Sequence, residues 1–296
     1  MTDDPILEVR DLTQYFRINR QLTIKAVDGI SFSVNEGEVF GIVGETGSGK
    51  STVARTLMGV NRLTSGEIFF KGNKISDKDV FRQNKSDLQK NMQIIFQDSA
   101  AALNPHMTVE QIIAEPMTIN KVMKSTEELD ARIKETLENV ELSEHYRTKY
   151  PGELSGGQRQ RVAIARGIAI RPDLIIADEP IASLDISIQA QIVTLFQHLQ
   201  KEHQFTFIFI AHDLSLIRFI SDRTAVMLKG KIVEMAETKD LFEHPLHPYT
   251  KALLSSIPVP DPDFERKKKS LEYDTSSFTG EGTFSEVSKG HFLLDG

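Results

Sequence analysis

The sequence predicts an α/β fold in which a parallel-sheet core is interrupted by a helical insert. Three observations predict it. LIIA at Leu174–Ala177 and FTFIFIA at Phe205–Ala211 are uninterrupted apolar runs, the pattern of central strands covered on both faces. From Asp98 to about Ala169 the apolar residues instead recur at helical spacing. EVFGIV at Glu38–Val43 runs straight into glycines, as a strand does before a sharp turn.

Along the chain, Ile6–Leu12 and Lys25–Val34 alternate apolar and polar residues and read as strands. Glu38–Val43 is the next strand and Ser51–Gly59 a helix. Glu67–Phe70 and Met92–Phe96 are short strands. Val109–Met117 and Thr126–Val140 carry helical spacing of Val, Ile, Leu and Ala. Ile188–Gln200 is the helix between the two buried strands, and Val226–Leu228 with Lys231–Met235 form a hairpin across Lys229-Gly230. After Pro245, PLHPYTKALLSSIPVPDP holds five of the 11 prolines around one short helix. From about Asp261 the composition is polar, and a loosely packed tail is expected.

A length of 296 residues is enough for one large domain or two modest ones with a real core. The net charge of -7 argues against a protein that wraps nucleic acid. Cysteine is absent, which excludes a disulfide framework, a thiolate metal site and a cysteine nucleophile. The acidic N-terminus MTDDPILEVR lacks the layout of a signal peptide, and no apolar run approaches the ~20 residues that cross a bilayer. The expectation is a cytosolic chain that meets a membrane only through a partner.

Gly44-Glu45-Thr46-Gly47-Ser48-Gly49-Lys50-Ser51 fits G-x-x-x-x-G-K-[ST] at every fixed position, after a strand and before a helix. Glycines let backbone N–H groups turn inward around phosphate oxygens, and the helix adds the positive end of its dipole. Lys50 is placed to reach the β- and γ-phosphates, and the Ser51 hydroxyl to ligate Mg²⁺. The motif specifies a nucleoside-triphosphate site without saying which kind.

Leu174–Ala177 ends in Asp178-Glu179. Ligands in an open α/β sheet sit beyond the carboxyl ends of the strands, so Asp178 belongs near the same Mg²⁺. Glu179 is a candidate to polarise the attacking water. The pair could instead cap the next connector, but the phosphate loop upstream favours the chemical reading. His212 follows FTFIFIA. A lone histidine is more often structural, yet this one ends a strand at the same sheet edge, where it can contact the γ-phosphate and help hold Glu179.

In LSGGQRQR, Ser155 and Gln158 form an S-x-x-Q capping box at a helix start. Capping alone gives no reason for Gly156 and Gly157, which weaken a helix by about 1 kcal/mol each against alanine. Glycines there admit a phosphate to a dipole-positive helix end. Spacing does not decide whether this second site completes the same chain's pocket or another's.

GETGSGKST, the glutamine of IIFQD, LSGGQRQR, LIIADEP, ASLD and AHD occur in the order seen in ATP-binding cassette (ABC) proteins, and this resemblance runs from about Ile6 to Pro260. It implies a P-loop NTPase core with an antiparallel β subdomain and an inserted α-helical subdomain at about 98–169. The cassette would occupy 1–260 and a C-terminal extension 261–296. It implies ATP and Mg²⁺ as ligands, with the phosphate loop through Thr52 on the nucleotide, Ser51, Gln97 and Asp178 on the metal, and Glu179, His212 and Gln97 around the attacking water. In this family two cassettes face each other head to tail, so Ser155, Gly156, Gly157 and Gln158 would act on the partner's ATP, with Leu184 and Asp185 at the seam. An aromatic residue after the first strand would stack on adenine: Phe16 fits the usual register best, and Tyr15 is the alternative.

IIFQDSAAALNPHMTV is similar to a segment of oligopeptide and dipeptide importer ATPases, with Ser99 where proline is usual and His106 where arginine is usual. HPLHPYTKALLSSIPVPDP looks like that subfamily's C-terminal signature, and FSEVSKGHFLLDG resembles its terminal segment, most like the F-type ATP-binding subunit of an oligopeptide permease. Some relatives carry tail cysteines that could bind an iron–sulfur cluster; this chain has none, so no cluster is expected. ERKKKSLEYD reads as a solvated charge run. The implied assembly pairs this chain with a D-type cassette on two transmembrane permease subunits at the cytoplasmic face of the membrane. An extracytoplasmic binding protein would feed it, and no nucleic acid takes part. Nickel, opines or heme are alternative cargoes. A soluble cassette acting on DNA or ribosomes is the alternative from another class. It is disfavoured by the modest separation of Lys50 from Asp178, the lack of sustained heptads and the single cassette.

Overall fold

The computed structural model describes residues 5–19, 21–182, 184–257 and 271–295. Two sheets and a group of helices form three layers. The smaller sheet is antiparallel in the order β2-β1-β4-β5, from β1 (Leu7–Arg17), β2 (Thr23–Val34), β4 (Ser65–Phe70) and β5 (Asn73–Lys74). The larger sheet has five parallel strands: β3 (Val39–Val43), β6 (Met92–Ile95), β7 (Leu174–Asp178), β8 (Thr206–Ala211) and β9 (Arg223–Leu228). Three antiparallel strands extend it beyond β9: β10 (Lys231–Glu237), β12 (His291–Asp295) and, at the edge, β11 (Thr283–Ser288).

Strands β3, β7 and β8 are buried along their whole length, which is why they read as continuous apolar runs. Their side chains alternate between two cores. Val39, Val43, Ile175, Ala177, Phe207 and Phe209 face the helices. Phe40, Ile42, Leu174, Ile176, Ile208 and Ile210 face the small sheet and α1 (Lys50–Leu57). Each such Ile or Phe contributes about 1.5–3 kcal/mol by leaving water. A one-residue slip of these strands would exchange the two faces, so the register that aims Asp178 and Gly44 is held by both cores.

The helical layer runs through α4 (Ser99–Ala102), α5 (Val109–Ile119), α6 (Thr126–Asn139) and α7 (Gly156–Ile168). Thr108 and Gln111 box the start of α5 as Ser155 and Gln158 box α7. Buried Arg132 on α6 donates to the carbonyls of Ile168 and Ala169, satisfying two orphan acceptors at the end of α7. Helices α8 (Ile186–His203) and α9 (Leu214–Ile220) connect the later strands. α10 (Thr238–Glu243) and α11 (Pro248–Ser255) follow β10.

Three expectations change. Strand β1 continues to Arg17, past the expected end at Leu12: Asp11 takes a left-handed conformation with φ 48°, and the pairing shifts register between Val9 and Leu12. That bulge hides the alternation. The segment 71–91 contains α2 (Lys78–Gln83) and α3 (Lys85–Asn91), which were not expected. The expected loose packing of 261–296 does not hold for 271–295, because β11 and β12 form a hairpin that pairs with β10. Phe284 and Phe292 stack with ring centroids 5.8 Å apart, and Leu294 is buried, so the polar composition conceals an apolar stripe. The charge run at 265–269, Pro258, Pro260 and Ser183 of ASLD lie outside the described residues.

Candidate functional site

The loop between β3 and α1 curls back on itself. Gly44 has φ 152°, and a Cβ there would lie 2.2 Å from the carbonyl oxygen of Met227. Gly49, the residue before α1, has φ 108°, and its Cβ would lie 2.1 Å from the carbonyl oxygen of Ala26. Neighbouring backbone therefore excludes any side chain at either position. Gly47 has φ 85° and open space beside it. No side chain caps α1, so its dipole-positive end is left to a ligand. The loop is braced from behind by the β9–β10 turn, where Gly230 N donates to the Ser48 carbonyl at 2.8 Å and Gly230 O accepts from Asp28 N at 2.9 Å. The Ser48 hydroxyl is buried without a partner.

Lys50 is buried. Its ammonium donates to the carbonyls of Gly44 at 2.7 Å and Glu45 at 3.0 Å, and lies 3.7 Å from Glu179 Oε1. Burial pulls its pKa down, while Glu179 and Asp178 oppose that shift. Ser51 on α1 donates its hydroxyl to Asp178 Oδ1 at 2.9 Å, across 127 residues of sequence. Burial pushes the Asp178 carboxyl up, and the Ser51 hydrogen bond works against it. Glu45, Thr46 and Gly47 are exposed, and Thr52 is half-buried.

Glu179 leaves β7 in a left-handed conformation with φ 49°, its N–H bonded to the Ile210 carbonyl at 3.0 Å. This twist separates its carboxylate from that of Asp178 at the strand end; such outliers persist where the surroundings over-determine them. Gln97, just past β6, donates its amide to Glu179 Oε2 at 3.1 Å, and His212 Nδ1, just past β8, stands 3.6 Å from the same oxygen. The sheet edge thus gathers Gly44–Ser51, Gln97, Asp178, Glu179 and His212. Ser51, Asp178 and Gln97 offer hydroxyl, carboxylate and amide oxygens, the donor set that suits Mg²⁺ shared with phosphates. Among the described residues there is no group of three or more His, Cys, Asp or Glu side chains that could hold a metal ion.

Ser155 to Gln158 stand apart from this cluster. The Ser155 hydroxyl accepts from Gln158 N at 3.3 Å, the Gln158 side chain accepts from Ser155 N at 2.9 Å, and the Gln158 amide donates to Tyr146 at 2.7 Å. Among the described residues no hydrogen bond or ion pair joins them to 44–52. The structure supplies a packing reason for Gly157 that sequence reasoning missed, since a Cβ there would come 2.9 Å from Ile188 Cγ2 on α8. Among the described residues Gly156 has no such reason: its Cβ would meet Leu184 at an ordinary 3.7 Å. Of the two aromatic candidates, Tyr15 is committed by its hydroxyl to Asp28, whereas half-buried Phe16 faces Ile24 in the β1–β2 register without a polar commitment.

Tyr249 was not expected here. Its hydroxyl accepts from Glu45 N at 3.1 Å, and burial pushes its pKa up to about 12. The contact spans 204 residues, beyond any local sequence signal.

Residues 27–182 match the ABC transporter family, and residues 233–281 match the oligopeptide/dipeptide transporter C-terminal region. The oligopeptide transport ATP-binding protein OppF of Bacillus subtilis (strain 168) is 48% identical over 295 residues, covering 98% of this chain and 96% of that protein. The dipeptide transport ATP-binding protein DppF of Lactococcus lactis subsp. cremoris is 44% identical over 98% of this chain and 93% of its own. Among solved structures, the cassette MJ0796, a dimer in a post-hydrolysis state bound to ADP and Pi, superposes with a TM-score of 0.70 at 28% identity, covering 78% of this chain and 98% of that one. The protein cbiO1 of Clostridium perfringens, part of the ABC transporter complex cbiONQ, gives 0.71 at 29% identity, covering 82% and 92%.

Proposed function

This chain belongs to the ABC transporter family, and from that premise we propose that it is the ATP-hydrolysing subunit of a peptide importer. The observation that carries the reading is the convergence of Lys50, Gln97 and His212 on the Glu179 carboxylate, beside the Ser51–Asp178 pair. ATP binds along the phosphate loop, with amides of 44–52 and the α1 dipole around its phosphates. Lys50 reaches the β- and γ-phosphates. Ser51, Asp178 and Gln97 are the residues that would hold Mg²⁺, which would neutralise charge on the phosphates. Glu179 accepts a proton from the attacking water, with Gln97 and His212 fixing its carboxylate. Phe16 stacks on adenine.

Ser155, Gly156, Gly157 and Gln158 act in trans on the ATP held by a second cassette. The exposed, dipole-positive start of α7 and the absence of an internal reason for Gly156 support this. The second cassette is a D-type chain, and both sit on two transmembrane permease subunits at the cytoplasmic face, served by an extracytoplasmic binding protein. The match of 233–281 to the oligopeptide/dipeptide C-terminal region supports peptide over nickel, opine or heme as cargo. Among the described residues no helix is long and apolar enough to cross a membrane.

Fractionation of cells that co-express the permease tests this assembly. The chain should sediment with membranes only when the permease is present, and peptide-loaded binding protein should stimulate ATP hydrolysis by the complex. Retention independent of the permease, or hydrolysis indifferent to peptide, overturns the reading.

A further inference from the structure

The peptide unit between Gly44 and Glu45 is held from both sides. A trans peptide points its N–H and C=O in opposite directions. Here the Glu45 N–H donates to the Tyr249 hydroxyl at 3.1 Å, and the Gly44 carbonyl accepts from Lys50 Nζ at 2.7 Å. Turning this unit over would set its N–H against the donor-only Lys50 ammonium, a repulsion, and would break the Glu45 N–H bond to Tyr249, whose hydroxyl would have to rotate to donate instead. A glycine on one side makes such a turn sterically easy, so something must prevent it.

Tyr249 is itself fixed from the C-terminal hairpin. It is 1% exposed, and its ring packs edge-on against Tyr273 with centroids 5.6 Å apart. Its N–H donates to His247 Nδ1 at 3.1 Å. The connector 246–247 hangs on Glu234 of β10, whose carboxylate accepts from Leu246 N at 2.7 Å and His247 N at 3.0 Å. His291 of β12 clamps that carboxylate: its Nε2 lies 2.8 Å from Glu234 Oε1 and its Nδ1 2.7 Å from Asp240 Oδ2. Glu234 is fully buried and His291 nearly so, so an unpartnered Glu234 would be costly. A continuous path therefore runs from His291 through Glu234 and His247 to Tyr249 and the phosphate loop.

We propose that Tyr249 is a positioning residue for the phosphate loop, and that the C-terminal hairpin sets Tyr249 through His291. This deepens the reading above and rests on residues 44–52 binding nucleotide. The hairpin and the proline-flanked helix α11 thereby belong to the nucleotide site as well as to the subfamily's C-terminal region.

The test uses the full chain and its transporter complex. Tyr249→Phe keeps the ring and removes only the hydroxyl that accepts from Glu45 N. The Kd for Mg-ATP by calorimetry, and KM in the complex, should rise about fivefold to tenfold, the equivalent of one hydrogen bond of about 1 kcal/mol. Turnover at saturation should change much less than KM, and the melting temperature should move little. His291→Gln should raise the Kd as well, and adding it to Tyr249→Phe should raise the Kd no further while still lowering the melting temperature. An unchanged Kd in Tyr249→Phe, with wild type binding normally, overturns the proposal and leaves the ATPase reading intact. Additive effects of the two substitutions on Kd overturn the link through the hairpin. A wild-type chain that binds no nucleotide overturns the ATPase reading, and this proposal with it.

Discussion

The Gln97 amide donates to Glu179 Oε2 at 3.1 Å, tying the end of β6 to the end of β7 across 82 residues. The two strands are adjacent and parallel, so any relative shift of the segment after β6 is felt at the carboxylate. Gln97 also begins the connection into the helical layer, where α4 starts at Ser99. The hydrogen bond therefore links the carboxyl end of the sheet to the start of the helical layer.

Replacing Glu179 by Gln preserves size and keeps a polar partner for Gln97 while removing the proton acceptor. Equilibrium ATP affinity should stay within about threefold, and turnover should fall by about 10²–10⁴, the range for a lost general base. ATP should then trap a cassette dimer visible by size-exclusion chromatography. Near-normal phosphate release from this variant removes Glu179 as the water-polarising group.

Asp178→Asn separates metal binding from folding. The carboxyl is buried and its pKa is raised by desolvation, so a neutral amide relieves a cost in the nucleotide-free chain. The melting temperature without ligand should hold or rise. The stabilisation by Mg-ATP should shrink, while that by ATP in chelator stays as in wild type. A full Mg-ATP shift in the variant contradicts a metal-holding role for Asp178.

The phosphate-loop glycines differ in what constrains them, and stability should rank accordingly. Gly49→Ala places a Cβ 2.1 Å from a backbone oxygen at φ 108°, a clash that no side-chain movement relieves. Thermal unfolding should show a loss of about 3 kcal/mol or more. Gly47→Ala meets nothing within 4 Å and pays only for its left-handed backbone, about 1–2 kcal/mol. Equal losses at the two positions would show that the loop relaxes around Gly49.

Sequence alone places much of this site, for a physical reason. Gly44–Ser51, Asp178-Glu179 and His212 each follow a strand buried on both faces, and such strands are legible as apolar runs. What stayed hidden is long-range or masked by irregularity. Asp11 interrupts the alternation of β1, and Tyr249 reaches Glu45 only through the folded connector. The β11–β12 hairpin carried a usable signal: it turns at Lys289-Gly290, the same pair recognised at Lys229-Gly230, just before the apolar run Phe292–Leu294. Its polar surroundings outweighed that signal. At Gly157 the sequence offers only a ligand's reason for glycine, and the fold adds a packing one, since a Cβ there would lie 2.9 Å from Ile188 Cγ2.

Ser155→Arg distinguishes a site shared between chains from one completed within a chain. Ser155 caps α7, so its loss costs about 1 kcal/mol and should lower the melting temperature modestly. A long cation at that point also blocks the approach of a second cassette's nucleotide. Since nothing among the described residues joins Ser155 to the phosphate loop of its own chain, ATP affinity of the isolated variant should match wild type. ATP hydrolysis by the assembled transporter should drop sharply at the site the arginine faces, with the other site spared. If the isolated chain loses ATP binding, α7 serves its own nucleotide, and the head-to-tail arrangement of cassettes is wrong for this protein.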